Sequence, residues 1–493
     1  MKKNELYAVA ALCILSLFSC QSDPASDSEA VYAFKLVNQV FWYGQDTTHI
    51  IIDLRKPFLN GSSGITSETF AVTAENALVL GNSPSEAYQY PRKVINAYIS
   101  AIDALTFDET GFASAGQPVG DKTAGQYIII ELECIKPTVS EGTAEQNFAD
   151  AVQNIPGAGT LRYQDGSNYL LDLRYTIEQI QPLILPDRKT FNAGKRFAKS
   201  SAVSANEGIA GEINPLVNEF KSGVYTPETP HDDTDYLEYQ LYTPDDPKNL
   251  PLVVWLHGAS EGRNAGAVQN QTQLRANKKG TAWVIPANQA VRKAYVLAPQ
   301  SPNYGWYRES PPNGFKGYNN AAVHVKTLID QLIRDNPGKI DRNRIYLAGD
   351  GIGGYGVWTM LSAYPDFFAA AIAAPGLFNL VDIPAVDSVR PPALTAEQIE
   401  RVKHTPIWIL NTGEDFAQTE DNYTVMKAAG GNIRWTHYPD ASENHADTWN
   451  IAHWVWVPVL ENRPATDDRY IKDVYPADAP GQHILDWLFA QRK

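Results

Sequence analysis

The run Arg344 Ile345 Tyr346 Leu347 Ala348 Gly349 Asp350 Gly351 Ile352 Gly353 Gly354 Tyr355 Gly356 Val357 Trp358 passes from an apolar strand through a glycine-rich turn into a helix. This is the context of a G-x-S-x-G nucleophile elbow, in which small residues two before and two after the centre let strand and helix pack closely. Gly349 and Gly353 hold those flanks. The centre itself is Gly351, so the hydroxyl that would attack a carbonyl is missing. An elbow residue sits in a strained backbone conformation worth about 1–3 kcal/mol, which glycine largely relieves. The sequence therefore keeps the turn and deletes the nucleophile.

Around this run, strands and helices alternate from residue 233 to 493, which predicts a mostly parallel sheet covered by helices on both faces. Strands are expected at Leu252 to Leu256, Ala294 to Ala298, Arg344 to Ala348, Phe368 to Ala374, Pro406 to Leu410 and Ile433 to Tyr438. Helices are expected at Ala321 to Arg334, Gly353 to Ala363, Asn422 to Ala429 and Gln482 to Gln491. The preceding stretch, residues 31–185, is β-rich and helix-poor, with turn clusters such as Asn60 Gly61 Ser62 Ser63 Gly64 between strand-like runs. It reads as an all-β sandwich of immunoglobulin type. Residues 186–232 turn basic and then polar, and read as a connector with some short helix, its cluster Arg188, Lys189, Lys195, Arg196 and Lys199 forming a solvated or acid-paired face.

At the amino terminus, Lys2 and Lys3 precede the apolar run Leu6 to Phe18, too short for a membrane span and suited to a signal-peptide core. The run ends Leu17 Phe18 Ser19 Cys20, which resembles a bacterial lipobox. Residues 1–19 would be removed, Cys20 would carry the lipid, and residues 20–30 would be a solvated tether. The protein is then expected outside the cytoplasm, held to a bacterial membrane only through that lipid, on the periplasmic face or the cell surface.

With 493 residues the length prior is about three domains; the reading is two, because signal, tether and connector absorb the rest. A net charge of −15 argues against nucleic acid as a partner, and three cysteines cannot build a disulfide scaffold. No His and Cys spacing resembles a zinc site, and the glycine turn lacks the Lys and Ser/Thr of a phosphate loop, so neither metal nor cofactor is expected.

The elbow run, with Leu256 His257 Gly258 Ala259, Leu297 Ala298 Pro299 Gln300 and Tyr438 Pro439 Asp440 Ala441, resembles α/β-hydrolase esterases of the prolyl-oligopeptidase-like and polyhydroxybutyrate-depolymerase-like group. Phe70 Ala71 Val72 Thr73, Arg92 Lys93 Val94 and Tyr127 to Leu132 extend the likeness to the subset with an N-terminal immunoglobulin-like domain. The resemblance implies an α/β-hydrolase fold and carboxylic esters, including acylated carbohydrates, as substrate class. It implies Ser at position 351, Asp415 as the acid and His445 as the base, in the chain order this fold uses. Glu414 competes with Asp415 for the acid's role. The oxyanion hole would come from the backbone N–H of Ile352 and of Gly258 or Ala259, with His257 and Glu261 bracing that loop.

Three readings of the chemistry stay open. A degenerate hydrolase domain binds an ester, glycan or peptide ligand in the old pocket; His445 and Asp415 activate a water and weak hydrolysis persists; or Asp350 serves as a carboxylate nucleophile. The first is favoured, since loss of a triad serine costs on the order of 10⁶ in turnover. Trp306 and Trp449 are candidate faces for stacking on a sugar ring, with core packing as the competing role.

Overall fold

The computed structural model describes residues 30–41, 44–55, 59–61, 63–78, 88–103, 105, 124–134, 160–162, 168–201, 209–258, 261–263, 270–276, 278–302, 306, 320–374, 394–412, 418–438, 455–460, 473–475 and 483–493. The expected signal, Cys20 and all of the tether but Ala30 lie outside these residues.

Among the described residues, two large sheets form the first domain, with two further two-stranded pairs, Leu59–Asn60 with Ala124–Gly125 and Leu183–Ile184 with Thr190–Phe191. In one, Arg196–Lys199, Val31–Phe41, Gly44–Asp53, Tyr127–Leu132 and Val94–Ser100 lie side by side, and Glu212–Ile213 also pairs with Val31–Phe41. In the other, the order is Tyr88–Arg92, Phe70–Leu78, Asn168–Gln179, Thr160–Arg162. The strand period of two sends Phe34, Leu36, Ile50, Ile52, Ile128 and Ile130 inward against Phe70, Val72, Leu173 and Ile177 of the second sheet. This is the interdigitated core of an immunoglobulin-like sandwich. Val37, Ile51 and Ile129, on the opposite face, form a small cluster of their own. Burial on both faces explains why Ile128 Ile129 Ile130 shows no polar alternation.

The expected connector is not one. Arg196–Lys199 and Glu212–Ile213 run parallel to Val31–Phe41, and Phe220–Tyr225 is the edge strand of the second domain's sheet. The expected short helix near residue 217 is a single 3-10 turn, Val217–Glu219. Of the basic cluster, Lys199 pairs with Glu212 at 3.0 Å and Lys189 with Asp187 at 3.0 Å. Short strands of this kind gain stability by adding hydrogen bonds to an existing edge, which leaves no apolar alternation in the sequence.

Among the described residues, the second domain is built on a nine-stranded sheet in the order Phe220–Tyr225, Leu237–Tyr242, Tyr295–Gln300, Leu250–Leu256, Ile340–Asp350, Ala370–Ala374, Ile407–Thr412, Ile433–Tyr438, Asp473–Tyr475. The six strands from Tyr295–Gln300 to Ile433–Tyr438 are parallel. Side chains of one parity, such as Val253, Trp255, Tyr346, Ala348 and Trp408, meet helix Ile484–Ala490. The other parity, Leu252, Val254, Ile345 and Leu347, meets helices Ala321–Asp335 and Ile352–Ala363. Both faces are covered, so the central strands read as near-continuous apolar runs.

The two domains share buried structure. Val40, at the end of a first-domain strand, belongs to the core of the second domain, and Phe41 accepts a backbone hydrogen bond from the Lys278 N–H at 3.1 Å. Arg275, in helix Thr272–Arg275, donates through Nη1 to Gln45 Oε1 at 2.7 Å and lies 3.4 Å from Glu212 Oε2. Glu212 also accepts from Asn38 at 2.9 Å and Lys199 at 3.0 Å. Arg275 and Glu212 side chains are each 1% exposed, so this is a desolvated network whose members depend on one another.

Candidate active site at the elbow

Strand Ile340–Asp350 ends between Leu250–Leu256 and Ala370–Ala374, with Gly349 opposite Leu256 and Asp350 opposite Ala374. Beyond it Gly351 turns at φ 53°, ψ −116°, and helix Ile352–Ala363 begins. The Gly351 N–H donates to Ala374 O at 3.2 Å, and its carbonyl accepts from the Tyr355 N–H at 3.1 Å. A positive φ is unfavourable for a residue with a side chain, so this is the strained turn of an elbow, held by its neighbours and relaxed by glycine. Gly353 answers a different need. A Cβ there would lie 1.9 Å from the Leu256 carbonyl oxygen. Gly353→Ala should therefore cost ~3 kcal/mol, at the upper end of overpacking effects, because rigid backbone must move. A variant whose urea midpoint matches the parent's would contradict that packing.

The loop after Leu250–Leu256 is braced from several sides. Ser301 N–H donates to His257 Nε2 at 2.9 Å, which leaves the proton on Nδ1 to be donated to Gly258 O at 2.7 Å. Complete burial holds the His257 imidazole down at about 3, against the pull of its Gly258 hydrogen bond, so it is neutral. The expected bracing role of His257 and Glu261 agrees with these contacts. One expectation does not. The Gly258 N–H donates to Glu261 Oε2 at 3.2 Å, so it is committed within the loop and is not offered to a ligand oxygen. Ala259 lies outside the described residues. Ile352, as the first residue of its helix, has no intrahelical acceptor, and among the described residues nothing else takes its N–H.

Trp306 is also corrected. It is 0% exposed, its Nε1 donates to His257 O at 3.0 Å, and its ring lies 4.8 Å from the His257 ring. Such a side chain packs under the loop and presents no face to a sugar. Asp415, His445 and Trp449, like Cys20, lie outside the described residues.

A charged cluster that sequence reading missed sits below the elbow. Lys279 Nζ lies 2.7 Å from Glu261 Oε1 and 2.9 Å from Asp350 Oδ2. Burial pushes the Glu261 carboxyl up to about 7, with Lys279 opposing and Asp350 reinforcing. Burial pulls Lys279 down, but the two carboxylates outweigh it and keep the ammonium charged. Glu261 stands three residues from Gly258, which hinted at a local bond; nothing in the sequence linked either to Lys279.

An immunoglobulin-like sandwich before a parallel sheet with a positive-φ elbow defines an α/β-hydrolase-fold protein of two domains. Residues 33–192 match the family described as esterase Ig-like N-terminal domain, and residues 237–390 match esterase PHB depolymerase. The chain belongs to the PHB-depolymerase-like esterases that carry an N-terminal immunoglobulin-like domain. A solved structure titled as a thermostable esterase superposes with a TM-score of 0.64 at 21% identity, over 94% of this chain and 100% of that one, which shows a shared fold. The para-nitrobenzyl esterase of Bacillus subtilis is 26% identical over 230 residues, 44% of this chain. The chain spans 41% of the length of that relative.

Proposed function

We propose that this protein is an exported, lipid-anchored member of the esterase family whose second domain binds an ester, glycan or peptide ligand at the elbow without efficient turnover. The observation that carries this reading is Gly351 itself: the elbow holds φ 53° while supplying no hydroxyl. An acyl-enzyme has no oxygen to form on. The Ile352 N–H, which no acceptor takes among the described residues, supports retention of a place for a polarised ligand oxygen. Cys20 at the end of a short apolar run supports the anchor.

The same N–H favours a second reading, in which His445, oriented by Asp415, activates a water standing where the serine side chain would be. A nucleophilic Asp350 is disfavoured. Its carboxylate is 2% exposed and bound to the Lys279 ammonium at 2.9 Å, which stabilises the anion and turns it away from solvent. Purified protein assayed on p-nitrophenyl acetate separates the two surviving readings. Binding without turnover is expected of the native chain. Hydrolysis that disappears in His445→Ala would establish the water mechanism instead.

A further inference from the structure

Three charged side chains from three separate segments meet under the elbow, and the two surviving readings of the chemistry use none of them. Lys279, Glu261 and Asp350 side chains are 4%, 1% and 2% exposed. The contacts form a continuous path: Asp350 Oδ2, Lys279 Nζ, Glu261 Oε1, then Glu261 Oε2 to the Gly258 N–H at 3.2 Å. Asp350 also abuts the loop directly, since a Cβ on Gly258 would stand 2.7 Å from its Oδ2. On another side the ammonium lies 5.1 Å from the Trp456 ring centroid, where the negative face of the aromatic ring attracts a cation.

A buried ion triad is a poor way to gain stability, because apolar residues of similar volume often do as well. Its directional contacts are better suited to fixing position. Glu261 is anchored elsewhere too, its carbonyl accepting from Gln300 Nε2 at 2.9 Å, so this one residue ties the loop both to the neighbouring strand and, through Lys279, to the elbow. Its two buried acidic partners, at 2.7 and 2.9 Å, favour the protonated ammonium, which argues against a nucleophilic or basic role for Lys279.

We infer that Lys279 is a positioning residue of the ligand site: it latches the loop that opens at Gly258 to Asp350 of the elbow, and so sets the distance between that loop and the Ile352 N–H. The inference rests on the reading that the elbow end of the sheet is where ligand binds.

The test compares Lys279→Met, Lys279→Arg and Asp350→Asn, each in the full chain, by amide hydrogen exchange. In Lys279→Met the Gly258 and Glu261 amides should exchange at least ~10-fold faster, while strand Ile340–Asp350 keeps its protection. Lys279→Arg, which preserves the charge, should restore most of that protection. Asp350→Asn leaves Lys279 paired with Glu261 and serves if Lys279→Met does not fold; it should speed exchange at Gly258 several-fold. Native exchange at Gly258 in whichever of these two variants is folded overturns the latch.

The second readout places Lys279→Met on a Gly351→Ser background with p-nitrophenyl acetate as probe. A loop no longer held against the elbow should lower kcat by ~10- to 100-fold with KM within about 2-fold. A change confined to KM overturns the positioning role. Exchange requires no activity, so an inactive Gly351→Ser parent counts against the triad reading and leaves the latch to be decided by exchange.

Discussion

Gly351→Ser is expected to raise hydrolysis of p-nitrophenyl acetate by at least ~10³-fold over the native chain. The reasoning is geometric. At φ 53°, ψ −116° the backbone already has the elbow turn, and the Ile352 N–H stands next to the new side chain. The elbow lacks the oxygen nucleophile, and that single atom accounts for on the order of 10⁶ in a triad enzyme. The serine must occupy a positive φ, so the variant should be less stable by about 1–3 kcal/mol. Thermal melting read beside the assay distinguishes an unfolded variant from an inactive one. A folded, inactive Gly351→Ser protein would mean that Asp415 and His445 are not aligned on the elbow.

Arg275→Met should destabilise the whole chain by about 3–5 kcal/mol, because it takes from Glu212 its buried cation of the second domain. Lys199 and Asn38 still reach Glu212 from the first domain, which argues for the lower half of that range. Urea unfolding gives the number directly. In the double variant Arg275→Met/Glu212→Gln much of the loss should be recovered, since the charge left behind is then gone. Additive losses in the two single variants would show that the pair is not coupled, and a loss below about 1 kcal/mol would remove the network as a tie between domains.

The parallel core was legible because strands covered on both faces become apolar runs, and the elbow because close packing leaves only glycine at Gly353. Residues 186–232 were misread for the opposite reason. Phe220–Tyr225 has one buried side chain, Phe220, so an edge strand there carries no apolar pattern to detect. Trp306 was misread because an aromatic near a cleft has the same spacing whether it packs under a loop or faces a ligand. Gly258 was expected to offer its N–H to a ligand, but Glu261 at the third position beyond takes it, a bond that spacing permits without requiring. The Lys279 cluster was invisible. Its carboxylates come from a loop and a strand end, and the lysine precedes the 3-10 segment Gly280–Val284, so only the tertiary fold brings them together.

Val40 and Phe41 give the chain a history as well as a shape. A polypeptide is made amino terminus first, so the sandwich strands, the last ending at Ile213, are complete before residues 275 to 298 arrive. During that interval Val40 has no core to enter, the Phe41 carbonyl has no Lys278 N–H, and Gln45 lacks Arg275. The first domain therefore completes this seam only with the second. It waits, with an apolar and polar seam exposed, for the domain behind it, and the seam closes only when both are present.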